Sequence, residues 1–184
     1  MGAPLPSAGR LWRERVAAAP DAPFLCFGDR EWTNAEFSAW VDQLAAGLRA
    51  AGVGPGTRIA VLLPNSAELV RIHLAGMLLG ATLVPMQTKA TAVESAYVLD
   101  HARPQWIFTD AAGWAAAELA GRVDRHTIVV LDGHPPAGAR ASATLPLSSH
   151  APVEPAERAD TDPLAIMYTS GSTARPKGVL LPEA

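Results

Sequence analysis

The sequence is poor in cysteine, in aromatic residues and in charge of either sign. Cys26 is the one cysteine in 184 residues, so neither a disulfide framework nor a cysteine metal cluster is expected, and a reducing, cytoplasmic location is predicted. The net charge is −3 and charged residues make up 18% of the chain, which argues against nucleic acid or an anionic membrane as the main partner. The five tryptophans are not interleaved with basic residues, as a base-stacking surface would require.

Long hydrophobic runs are missing as well. The most apolar region, residues 69–86, is interrupted by Arg71, His73 and Pro85, which is typical of a buried helix followed by a strand and not of a membrane span. The N-terminal residues lack a basic patch followed by an apolar core, so no secretory signal is expected. With 49% hydrophobic residues, the chain has the composition and length to bury a sizeable core.

Strand-like and helix-like patterns alternate along residues 1–131. Three residue pairs have the capping-box spacing that marks a helix start: Thr33 with Glu36, Asn65 with Glu68 and Thr91 with Glu94. A further helix is predicted over residues 111–122, between strands predicted at 106–109 and 127–131. This alternation predicts an α/β domain with a mainly parallel sheet flanked by helices.

Residues 132–163 break this alternation, because they contain six prolines and many small residues. The composition predicts a proline-rich, flexible connector that crosses the surface. Residues 164–184 follow as an apolar strand, a loop of hydroxyl groups and glycine, and a second apolar strand.

The loop within residues 168–178 reads Tyr-Thr-Ser-Gly-Ser-Thr-Ala-Arg-Pro-Lys-Gly. Small hydroxylated residues beside glycine leave backbone N–H groups accessible, and a lysine adds positive charge, so the composition favours phosphate binding. Gly171 and Lys177 have the spacing of a Walker loop, but Pro176 occupies the second glycine position and Gly178 the position of the Mg²⁺-binding hydroxyl. The Walker interpretation is therefore disfavoured, and a plain serine–glycine hairpin turn is the simple structural alternative.

The same eleven residues resemble the phosphate-binding signature of the adenylate-forming (AMP-forming) synthetases, which include acyl-CoA ligases, firefly-type luciferases and peptide-synthetase adenylation domains. Ala174 stands where this family usually has glycine. Residues 56–66 and 80–86 are similar to earlier elements of the family, so the resemblance spans residues 11–182. It implies an incomplete N-terminal domain of the synthetase fold whose C-terminal remainder is absent from this sequence.

The resemblance implies an ATP-dependent ligase that activates a carboxylic acid as an acyl-adenylate, with Mg²⁺ as cofactor, and then forms a thioester with coenzyme A. By position, the residues implied to contact the ATP phosphates are Thr169, Ser170, Gly171, Ser172, Thr173 and Lys177. The catalytic residues of the family are expected downstream of Ala184, so this chain alone is expected to be inactive. No histidine or carboxylate set in the sequence has metal-ligand spacing, and no metal site is predicted.

Two other functions stay open. The chain is alternatively part of an adenylation domain that loads a carrier protein, or a non-catalytic remnant that acts through protein–protein contact. Besides the carboxylic acid, the expected partners are the missing C-terminal part or a second copy that covers exposed apolar surface. His73 is interpreted as a packed histidine, and His101 as a partner of the helix dipole at the end of its helix.

Overall fold

The computed structural model describes residues 6–132, 135–141, 151–169 and 176–183. Within these residues the helices are α1 (Ala8–Ala18), α2 (Asn34–Ala50), α3 (Ala67–Leu79), α4 (Ala92–Ala102), α5 (Ala111–Ala116) and a 3₁₀ helix (Leu119–Arg122). The strands are β1 (Pro23–Phe27), β2 (Arg30–Thr33), β3 (Arg58–Leu62), β4 (Thr82–Pro85), β5 (Trp106–Thr109), β6 (Thr127–Val130), β7 (Arg140–Ala141), β8 (Pro163–Thr169) and β9 (Lys177–Pro182). No helix among them is long and apolar enough to cross a membrane.

Seven strands form one sheet in the order β7-β6-β5-β3-β4-β8-β9. Neighbouring strands from β7 to β8 run parallel, and only β9 is antiparallel to its neighbour. Strands β1 and β2 form a separate antiparallel hairpin. The predicted mainly parallel α/β architecture is confirmed.

Both faces of the central strands β3, β4, β5 and β6 are buried, and successive strand residues enter different cores. Along β3, Ile59 and Val61 pack in one core with residues of α2 and α3, whereas Ala60 and Leu62 pack in the other with residues of α4. This alternation follows from the two-residue period of a strand. Because each face is covered by helices, the strand sequences are continuously apolar and do not alternate with polar residues.

The capping predictions are confirmed at two of the three positions. Thr33 with Glu36 and Thr91 with Glu94 form complete capping boxes at the starts of α2 and α4. The prediction for Asn65 is wrong by one residue, because Ser66 is the N-cap of α3 and accepts a hydrogen bond from the Leu69 N–H at 3.2 Å.

The single helix predicted over residues 111–122 is also wrong. Helix α5 ends at Ala116, and Glu118 adopts a left-handed conformation with φ 52° before the 3₁₀ helix begins. Trp114 and Ala117 are buried. An uninterrupted helix would place Glu118 and Gly121 on the same buried face as these two residues. The break instead turns Leu119 fully into the core, which explains why the helix does not continue.

The described part of the 132–163 connector differs from the flexible segment that its composition predicts. Residues 140–141 form β7 at one edge of the sheet. Farther along, Val153 is buried and its N–H donates to Asp42 at 2.8 Å. The Ala156 N–H donates to the carbonyl of Leu78 at 2.8 Å. These bonds fasten the chain to α2 and α3 just before it enters β8.

Candidate functional site

The predicted phosphate loop lies at the tip of the hairpin formed by β8 and β9. Thr169 and Lys177 are directly opposite each other as the last register pair before the loop. Both are exposed, so the hydroxyl and the ammonium group are accessible at the place where the chain turns. Ser170, Gly171, Ser172 and Thr173, the other predicted contacts, lie outside the described residues, as does Ala174.

The hairpin continues the parallel sheet, so its tip lies at the edge formed by the carboxyl ends of β4 and β8. Ligands of open α/β sheets bind at this edge, because the loops that follow the strands gather there. A hydroxyl donor and a lysine at such a position suit an anionic group such as phosphate.

Gly178 belongs to the motif for a packing reason. It is the register partner of Tyr168, and a Cβ atom at Gly178 would lie 3.2 Å from Cζ of the Tyr168 ring and 3.3 Å from Ile166. The phenol ring therefore covers the glycine, and a larger residue would push the ring away. Glycine here permits a close approach of side chain to backbone and is not needed for an unusual φ angle.

Tyr168 connects the hairpin to helix α4. Its hydroxyl lies 2.6 Å from Nδ1 of His101, and the imidazole stacks on Tyr97 with ring centroids 5.7 Å apart. Burial raises the pKa of Tyr168, and the nearby Tyr97 adds to that rise, so the phenol is neutral and keeps its proton for hydrogen bonding. His101 does lie in the last turn of α4 as predicted, but its contact with Tyr168 was missed. No sequence pattern marks a pair of residues that lie 67 positions apart.

A small cavity of about 60 Å³ lies between this hairpin and α4. Its lining includes Met86, Ser95, Val98, Tyr168 and Pro176. Glu94 also lines it, but its carboxylate accepts bonds from the Thr91 N–H and hydroxyl at 2.8 and 2.9 Å.

These hydrogen bonds lower the pKa of Glu94, because they favour the ionised carboxylate. Glu94 is therefore a helix-capping group and not a general acid.

No group of three or more histidine, cysteine, aspartate or glutamate residues in the described parts of the chain is arranged to hold a metal ion. The exposed Thr169 hydroxyl and Lys177 ammonium group can both donate hydrogen bonds to anionic oxygens such as those of a phosphate.

An open α/β sheet with a hydroxyl- and glycine-rich sequence at the carboxyl ends of its strands is typical of proteins that bind anionic ligands at that edge. The sequence model of the AMP-binding enzyme family matches residues 12–184. The chain therefore belongs to the family of AMP-binding, adenylate-forming enzymes.

Similar proteins include both CoA ligases and peptide synthetases. Malpibaldin synthetase of Mortierella alpina is 33% identical over 176 residues, covering 94% of this chain and 3% of that protein. Sulfoacetate–CoA ligase of Cupriavidus necator is 30% identical over 171 residues, covering 92% of this chain and 33% of that protein. The anthranilate CoA ligase AuaEII, solved with anthranoyl-AMP, has the same fold with a TM-score of 0.85 and 24% identity, covering 97% of this chain and 36% of that one. The chain thus spans a third or less of these two curated relatives.

Proposed function

We propose that this chain supplies the ATP-phosphate loop of a ligase that activates a carboxylic acid as its acyl-adenylate. The observation that carries the proposal is the hairpin tip, where Thr169 and Lys177 face each other on either side of residues 170–175. Hydroxyl, amide and ammonium donors placed in advance stabilise the charge that builds up on the β and γ phosphates as pyrophosphate leaves. The contacts are proposed to be Thr169, Ser170, Gly171, Ser172, Thr173 and Lys177.

The reaction proposed for the whole enzyme joins the acid carboxylate to the α-phosphate of ATP and releases pyrophosphate. Mg²⁺ would neutralise part of the triphosphate charge. The acyl group then passes to the thiol of coenzyme A, which forms the thioester and releases AMP. Residues 91–110 resemble fatty- or aryl-acid ligases more than a peptide-synthetase domain, which supports coenzyme A as the acceptor, and a carrier protein is the alternative.

The chain by itself is proposed to bind the nucleotide but not to catalyse adenylation. The described hairpin residues Thr169 and Lys177 offer donors to phosphate, and the chain covers 33% of the sulfoacetate–CoA ligase that it resembles. Incubation of the 184-residue chain with ATP, Mg²⁺ and a panel of carboxylic acids should release no pyrophosphate. Release above the enzyme-free background would contradict this part of the proposal.

Nucleotide binding is tested by titrating the chain with MgATP in a calorimeter. A hydrogen bond to a charged group contributes about 1.5–3 kcal/mol, so Thr169→Ala and Lys177→Ala should each weaken binding by about tenfold or more. Arg125→Ala is the matched control, because Arg125 is 73% exposed, precedes β6 at the other end of the parallel strands, and its removal changes the net charge equally. Equal losses in Lys177→Ala and Arg125→Ala would show that only overall charge matters, and would overturn the proposed loop.

The acceptor is tested separately by the coding sequence beyond the codon for Ala184. An adjoining carrier domain in the same reading frame, with a serine for phosphopantetheine attachment, would overturn the assignment of coenzyme A. Its absence from the gene and the presence of a complete ligase domain would support the thioester with coenzyme A.

A further inference from the structure

The hairpin that carries the proposed phosphate loop has little support from the sheet near its tip. Strand β8 pairs with β4 in register at Leu83 and Ala165. From Ile166 to Thr169 the register partners of β8 are residues of β9. Strand β9 is an edge strand whose residues are all exposed. The sheet alone therefore leaves the last residues before the loop free to tilt.

The opposite end of the hairpin is held firmly. The Glu183 carboxylate, just beyond β9, accepts a hydrogen bond from the Ala8 N–H at 2.5 Å, at the first turn of α1. Its other oxygen lies 3.0 Å from Nε of Arg158, and both side chains are at most 4% exposed. Arg158 also donates to the carbonyl of Pro163 at 2.8 Å. These contacts fix the base of the hairpin but do not reach its tip.

At the tip, the 2.6 Å bond between His101 Nδ1 and the Tyr168 hydroxyl connects β8 to α4. Tyr168 immediately precedes Thr169, and its ring covers Gly178 on the partner strand. The imidazole is itself held by stacking against Tyr97. His101 and Tyr168 therefore connect α4 to both strands of the hairpin beside the point where the loop begins.

We propose that His101 is a positioning residue that, through the Tyr168 hydroxyl, holds Thr169 and Lys177 in place at the two ends of the proposed phosphate loop. This inference rests on the proposed function of the loop, but the hydrogen bond can be tested without nucleotide. His101 does not touch the phosphates. It lowers the conformational freedom of the hairpin tip, so that less ordering has to occur when the ligand binds.

The test is a double-mutant cycle with His101→Phe, Tyr168→Phe and the double variant. Phenylalanine keeps an aromatic ring at each position and removes the polar atom. Amide hydrogen exchange at Thr169 and Lys177 should accelerate about fivefold in each single variant, as expected for the loss of one hydrogen bond. The calorimetric affinity for MgATP should fall by about the same factor. The double variant should be no worse than either single one, because both remove the same bond.

Two further variants separate positioning from a general effect on the fold. His126→Phe is the matched control, since His126 Nδ1 makes a 2.6 Å contact with the Pro104 carbonyl before β5 and β6, at the other end of the parallel strands. It should change neither exchange at the hairpin tip nor affinity. His101→Asn places an amide near the position of Nδ1 and should restore part of the affinity that His101→Phe loses. The urea midpoint should fall by a similar small amount in His101→Phe and His126→Phe, since each variant loses one hydrogen bond, so a difference between them in exchange or affinity reports position and not stability.

The positioning role would be overturned if the losses of MgATP affinity in the two single variants were additive in the double variant. It would also be overturned if amide exchange at Thr169 and Lys177 were unchanged, or if His101→Phe and His101→Asn bound MgATP equally. Faster exchange with an unchanged MgATP affinity would overturn it too. If the unmodified chain does not bind MgATP, the proposed function fails, and the exchange measurements alone then decide whether His101 holds the hairpin tip.

Discussion

The ion pair between Arg13 and Asp42 gives a prediction whose size follows from burial. Asp42 on α2 accepts bonds from both terminal nitrogens of Arg13 on α1, one of them at 3.1 Å, and from the Val153 N–H at 2.8 Å. The Asp42 side chain is 6% exposed and that of Arg13 is 19% exposed. One carboxylate thus contacts both helices and the segment that leads into β8, and Asp42→Ala removes these contacts together.

Removing one member of a buried ion pair costs about 3–5 kcal/mol, because the other charge is left without a partner. Arg13 retains some exposure, a 2.8 Å bond to the Ser38 hydroxyl and bonds to the Val153 carbonyl at 2.6 and 3.2 Å, which reduce the loss. The buried Val153 N–H loses its acceptor, which adds to the loss. We therefore expect Asp42→Ala to lower the free energy of unfolding by about 4 kcal/mol. In a domain of this size that corresponds to a fall in Tm of about 10 °C.

Urea unfolding followed by tryptophan fluorescence measures the loss directly. Asp100→Ala is the matched control, because Asp100 forms a 2.8 Å ion pair with Arg122 but is 56% exposed. Exposed pairs contribute about 0–1 kcal/mol, so the control should change stability little. Equal losses in the two variants would refute the argument that burial determines the strength of the Arg13–Asp42 pair.

Two further perturbations test the fold and its exposed edge. Burial lowers the pKa of His73 and outweighs the opposing effect of its bond to the Leu69 carbonyl, so the unfolded chain binds this proton more readily. The free energy of unfolding should therefore fall as the pH is lowered from about 6.5. The urea midpoint of His73→Gln should fall less over the same pH range. An equal fall in the variant and the unmodified chain would contradict the role given to His73. Leu180 on β9 is 64% exposed, and Leu180→Lys should reduce self-association in sedimentation experiments, because charge on an edge strand opposes pairing. Val93→Lys, at a residue 79% exposed on α4, is the control and should leave association unchanged.

Much of the architecture was predictable because its signals are local. The helix starts at Thr33 and Thr91 follow from residues three positions apart, whose side chains and N–H groups satisfy each other within one turn. The cap of α3 was misplaced because Asn65 and Ser66 are both good capping residues, and the pattern does not say which of them ends the preceding segment. The helix break at Glu118 was not predictable from the sequence pattern, because it depends on the position in the fold from which Leu119 can reach the core.

The proposed phosphate contacts likewise followed from a local pattern, because residues 168–178 resemble one contiguous motif at every position except Ala174. The contacts that join these residues to the rest of the fold did not follow from any local pattern. The connection of Tyr168 to His101, and of Asp42 to Val153, joins residues 67 and 111 positions apart. No spacing rule operates over such lengths, because the distance is closed by the packing of whole helices against the sheet.

The sequence by itself determined the alternation of helices and strands, the parallel sheet and the family, because each depends on periodicity or on a short contiguous motif. Only the tertiary structure decided that the proline-rich segment is fastened at Val153 and that the hairpin is held at its base by Glu183 and at its tip by His101. The physical reason is that a hydrogen bond or an ion pair forms only where the complete fold brings its two partners within about 3 Å.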